Sequence, residues 1–152
     1  MTDNLISLLE NSELFKDFST QQLQWIAQNI PPAEVILKNR EFLYKRGDIA
    51  DRCWLIRSGK FLVLRPSLRN PYRSINYEVG AVTGLQGLIE PEDTRPVSLL
   101  ADGDVKLIEI PYASIAKMDG ETRLTLCRNI NRILLKKVFE CRTSLSSWED
   151  YR

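Results

Sequence analysis

The sequence contains no histidine. Imidazole is the commonest metal ligand and the commonest general base, so its absence removes histidine-based zinc sites, Ser/His and Cys/His nucleophilic systems and histidine-ligated oxygenases. Carboxylate, lysine or cysteine chemistry would remain, yet no pair of these groups stands at a telling spacing, and the chain is expected not to be an enzyme. Long apolar runs are missing too. Nothing approaches the ~20 residues of a membrane span, and the opening Met1-Thr2-Asp3-Asn4 lacks the positive region of a secretory signal. Both absences point to a cytoplasmic protein with no membrane partner. Cysteine is scarce: Cys53, Cys127 and Cys141 are odd in number and without metal-type spacing, which fits reduced thiols and no metal. An excess of one charge is also lacking. With 21 Lys and Arg against 20 Asp and Glu, the net charge of +1 gives no global case for nucleic acid.

What is present is one domain's worth of chain, 152 residues with 43% hydrophobic content and no internal repeat. Leu5, Leu8 and Leu9, then Leu23, Ile26 and Ala27, recur at helical spacing, Ser19 stands where an N-cap would, and Pro31-Pro32 closes this helical segment, 1–32. From 33 to 111 the texture changes to short apolar runs: Glu34–Leu37, Glu41–Lys45, Arg52–Arg57, Lys60–Arg65, Arg73–Val79, Val97–Ala101 and Lys106–Ile110. Turn chemistry separates them at Arg46-Gly47-Asp48, Ser58-Gly59, Asn70-Pro71 and Asp102-Gly103-Asp104. Short strands at near-regular intervals predict a mainly β domain of jelly-roll type with flanking helices.

From 112 to 152 the pattern is helical again, from about Ile115 to Ser147 beyond a break at Asp119-Gly120. Two stripes lie on it. Leu124, Asn131 and Val138, with Cys127, Leu134 and Cys141, form a heptad seam that predicts a homodimer, and the lone Asn131 would pin register. Leu126, Ile130 and Ile133 lie to one side and are expected to pack on the strand domain. The bland alternative is one amphipathic helix folded back on the barrel. Arg123, Arg128, Arg132, Lys136, Lys137 and Arg142 make this helix locally basic, which most often means a solvated face.

The stretch from Gly84 to Ser98 carries the candidate binding chemistry. Two glycines let the backbone approach a bound group with its N–H donors exposed, and Arg95 adds a positive fork suited to phosphate. The alternative for Arg95 is a surface bridge to Glu92 or Asp93.

Leu43-Tyr44-Lys45-Arg46-Gly47-Asp48-Ile49-Ala50-Asp51, followed by Trp54-Leu55-Ile56-Arg57-Ser58-Gly59-Lys60, resembles the cyclic nucleotide-binding domain, the β-roll sensor of catabolite-activator-type regulators, kinase regulatory subunits and gated channels. The resemblance implies a double-stranded β-helix with N-terminal helices and a long C-terminal helix. It aligns Gly84, Leu85, Gln86, Gly87, Arg95, Pro96 and Ser98 with the family's phosphate-binding cassette, in which a short helix N-terminus and an arginine surround a cyclic phosphate. The family's sugar-binding glutamate falls on Leu85, its usual rim aromatic on Thr83, and a usual glycine on Arg40. Leucine removes a charge-assisted hydrogen bond of roughly 1.5–3 kcal/mol, one to two orders of magnitude in affinity. The implied function is therefore a regulatory or sensor domain with a degenerate pocket. It is expected to take a different anion or none in place of cyclic AMP, or to serve as a ligand-free scaffold for an effector protein. Only a short tail follows the long helix where the family's transcription factors carry a helix-turn-helix, so direct DNA binding is not expected.

Overall fold

The computed structural model describes the backbone of residues 2–30, 34–64 and 72–149, and the side chains of all of these except 2–3, 72–73 and 141–149. Helix α1 (Thr2–Glu10) buries Leu8 and Leu9. A 3-10 turn, Glu13–Phe15, leads to α2 (Thr20–Asn29). Helix α2 begins where the sequence places its cap: Gln22 N donates to Ser19 Oγ at 3.1 Å and Ser19 N donates to Gln22 Oε1 at 2.8 Å. This reciprocal pair satisfies two donors the helix leaves unpaired. The expected breaks at Pro31-Pro32 and Asn70-Pro71 lie outside the described residues.

Among the described residues six strands, β1 (Glu34–Leu37), β2 (Phe42–Tyr44), β3 (Arg52–Leu64), β4 (Tyr72–Asn76), β5 (Val82–Thr83) and β6 (Ser98–Pro111), form one antiparallel sheet. Two expected turns are absorbed into long strands. Ser58-Gly59 is a bend inside β3, and Asp102-Gly103-Asp104 a bend inside β6. Pairing steps from Ser58↔Lys106 to Lys60↔Asp102, so two residues of β3 span four of β6. Such a bulge keeps the ladder going while the sheet curls, which is why the turn residues did not end the strands. Neighbours divide at the same point: β1 pairs with Val105–Ile108 and β2 with Leu99 and Leu100, while β5 pairs with Trp54 and Leu55 and β4 with residues 60–64. The result is the β-roll that the sequence predicts. Strand β5 has only two residues, too few for alternation to show.

Helix α3 (Gln86–Ile89) lies between β5 and β6, and α4 (Tyr112–Ile115) and α5 (Gly120–Glu149) follow the roll. The break before α5 is made by Asp119, whose carboxylate accepts from Thr122 N at 2.7 Å and Thr122 Oγ1 at 3.0 Å. Alternation along the strands divides the core in two. Cys53, Leu55, Ile108 and Ile110 face the helices and meet Leu9, Phe15, Leu126, Ile130 and Ile133. Trp54, Ile56, Leu99, Ala101, Val105 and Leu107 fill a second cluster with Phe61 and Val63.

The Leu126, Ile130 and Ile133 stripe is buried as expected, and with it the structure brings in Asn129, 1% exposed, whose Nδ2 donates to Leu14 O at 3.0 Å and Lys16 O at 2.8 Å. Arg132 pairs with Asp17 at 3.3 Å and Lys136 with Glu13 at 3.4 Å along the same contact. The seam residues Leu124, Cys127, Asn131, Leu134 and Val138 are all exposed on the chain; the side chain of Cys141 lies outside the described residues.

Candidate ligand-binding site

Gly84 sits at φ +72, the left-handed region that favours glycine, and a Cβ there would lie 2.8 Å from the Trp54 ring. A Cβ on Gly87 would fall 2.0 Å from Arg52 O, so α3 rests directly on the β3 backbone. Both glycines therefore allow close packing of protein against protein. Within the cassette, Gly87 N donates to Gly84 O and Leu88 N to Leu85 O, each at 3.0 Å.

Arg95 is neither on the surface nor bridged to Glu92 or Asp93. It is 2% exposed, its Nη1 donates to Gly84 O at 3.0 Å and its Nη2 donates to Arg52 O. Its Cζ lies 4.5 Å from the Tyr44 ring centroid and 5.4 Å from that of Trp54, two rings that stack at 5.8 Å. Among the described residues no carboxylate reaches ion-pair distance of this guanidinium, and Nε is buried without a partner. Two carbonyl dipoles and two π faces thus balance the cation from within. Burial lowers the Arg95 pKa from its ordinary value, while Tyr44, Cys53 and Asp51 act in the opposite direction. Burial likewise pushes Tyr44 up to about 12 and raises Cys53 well above the thiol range, with Arg95 opposing both.

The segment around Arg95 is stitched to the turn at 45–50. Gly47 N donates to Arg95 O at 2.9 Å, Arg95 N to Asp48 O at 2.8 Å, and Ala50 N to Asp93 O at 2.8 Å. The buried Ser98 hydroxyl accepts from Arg46 N at 2.8 Å, and Pro96, which has no N–H, is exposed beside it. On the other side Gln86 Nε2 donates to Asp93 Oδ2 and Thr94 O, each at 3.1 Å. Leu85, 5% exposed, packs into the helix-facing core with Cys53, Leu55 and Leu88.

Gly84, Gln86, Arg95 and Ser98 are therefore brought together by one bonded loop system, and Leu85 is turned to the other core. Sequence reasoning missed Tyr44, Trp54 and Arg52 as partners of Arg95. Tyr44 and Trp54 lie in the very run that carries the family resemblance, but no spacing rule links them to a residue some forty to fifty positions on. Arg40, at a usual glycine position, holds φ +68, so the backbone keeps the left-handed turn without the glycine.

The fold can be set beside known ones. No curated protein sequence matches the chain. In structure it is similar to the N-terminal domain of a transcriptional regulator from Streptomyces coelicolor, at 22% identity and TM-score 0.70, covering 86% of this chain and 94% of that one. It is also similar to the catabolite activator protein of Thermus thermophilus, at 18% identity and TM-score 0.72, over 91% of this chain and 63% of that one. A third likeness is to the regulatory domain of PKA from Toxoplasma gondii, solved with cAMP, at 16% identity and TM-score 0.68, covering 91% of this chain and 50% of that one. At such identities the likeness establishes the fold alone. The sequence profile described as the cyclic nucleotide-binding domain matches residues 34–119, from the start of β1 through the cassette to the residue that caps α5. The roll and its cassette thus lie within the matched profile, and this chain belongs to the cyclic nucleotide-binding domains.

Proposed function

We propose that this chain is a non-enzymatic regulatory domain whose cassette takes no cyclic nucleotide and that acts through protein contact, with the exposed face of α5 as its output surface. The observation that carries this is Arg95: 2% exposed, bonded to Gly84 O and Arg52 O and covered by Tyr44 and Trp54. A cyclic phosphate would have to take the guanidinium from two carbonyls and two rings that already compensate it. The position aligned with the family's sugar-binding acid holds Leu85, buried in the same core as Leu88 and Cys53. Arg95 then works as an internal tie from the loop before β6 to β3 and to the turn before α3.

A ligand that binds only the native state raises its melting temperature. The expected result is a melting temperature unmoved by cyclic AMP or cyclic GMP. Arg95→Ala is expected to lower it in plain buffer, by about 2–4 kcal/mol of stability, through two stripped carbonyls and two lost π contacts. A nucleotide-dependent rise abolished by Arg95→Ala would overturn the proposal.

One observation favours a second function, response to a small anion other than a nucleotide: Arg95 Nε is buried without a partner among the described residues. Melting curves in inorganic phosphate and sulfate separate the two, since only this second function gives a rise that depends on Arg95.

A further inference from the structure

Helix α5 sorts its positive charges by face. Arg132 and Lys136 point back to the domain and are paired with Asp17 and Glu13. Arg123, Arg128 and Lys137 are exposed and make no ion pair among the described residues. These three flank the exposed apolar stripe, in which Leu124 is 72%, Leu135 56% and Val138 53% exposed. From Arg123 to Lys137 the sequence contains no Asp or Glu.

In a paired helix the seam supplies affinity and the flanking charges choose the partner. Were two copies of this chain to pair in parallel along Leu124, Cys127, Asn131, Leu134 and Val138, Arg123 of each copy would face Arg128 of the other. Like charges at such positions repel, and in this parallel in-register pairing no acid between 123 and 137 is available to relieve them. We infer that the exposed face of α5 docks an amphipathic helix of another protein, one with an apolar stripe, a polar residue opposite Asn131 and acidic residues on both flanks. This rests on the proposal that the domain acts through protein contact, yet it concerns a surface apart from the cassette, so its failure leaves the account of Arg95 untouched.

The test uses the whole chain and a pair of synthetic helical peptides. Both carry leucine and valine at the seam positions and one asparagine to meet Asn131; the flanks are glutamate in one and lysine in the other. Sedimentation equilibrium is expected to show the chain alone as a monomer at micromolar concentration. Fluorescence anisotropy is expected to show the glutamate peptide binding roughly tenfold or more tightly than the lysine peptide, as several exposed charge pairs of changed sign would give. The triple variant Arg123→Glu, Arg128→Glu, Lys137→Glu touches only exposed positions, and with an unchanged circular dichroism spectrum it should reverse that preference. A stable dimer of the chain that excludes both peptides would assign the face to a second copy and overturn the inference. Equal binding of the two peptides, or binding of neither, would overturn it as well.

Discussion

Arg95 and Leu85 decide what this cassette can do, and they do so from opposite cores. Leu85 at the family's sugar-acid position was legible in the sequence, but the direction of its side chain was not, because a residue at the start of a four-residue helix has no periodicity to orient it. Packed with Cys53, Leu55 and Leu88, it predicts the outcome of the obvious repair. Leu85→Glu should bury an unpaired carboxylate, destabilise the domain by about 3–5 kcal/mol in urea unfolding, and bring no cyclic nucleotide binding with it. Tyr44, which covers Arg95, gives a second test with a definite sign. Folded, burial holds its phenol to about 12 against an ordinary 10.0. Between those values the unfolded chain has released the proton and the folded chain has not, so this contribution is complete below pH 10.0 and is lost as pH rises toward 12. Tyr44→Phe should flatten the alkaline fall in stability measured by denaturation across that window.

At the scale of elements, helices with caps were legible to the residue, as at Ser19, while the strands other than β5 were legible in place but not in length. Ser58-Gly59 and Asp102-Gly103-Asp104 carry turn residues, and only the partner strand shows that the ladder runs on through them. The C-terminal helix was legible as two stripes, yet its polar anchor was not. Asn129 lies three positions after Leu126 on the buried stripe, and a lone asparagine among apolar neighbours was the signal that could have found it. Its amide holds Leu14 O and Lys16 O against α5. Asn129→Ala should cost about 2 kcal/mol by leaving both carbonyls unpaired. Hydrogen exchange should rise first in the 3-10 turn and the adjoining turns of α5, ahead of the roll. Even exchange throughout would show that the anchor does not tie these elements together.

For the whole molecule, sequence and structure agree on the family. The roll is complete, the cassette is in register, and the profile runs from 34 to 119, yet the arginine that identifies the cassette is bonded inside it. A fold can keep every turn of a binding site for packing alone, since Gly87 must stay small beneath Arg52 O whether or not a ligand is ever held. Under the function proposed above, the domain transmits through α5 and takes no nucleotide at the cassette. Isothermal titration calorimetry of the whole chain with cyclic AMP tests this most directly. No saturable heat is expected at ligand concentrations up to about 1 mM. Binding of one cyclic AMP per chain with a micromolar Kd, lost in Arg95→Ala, would contradict it.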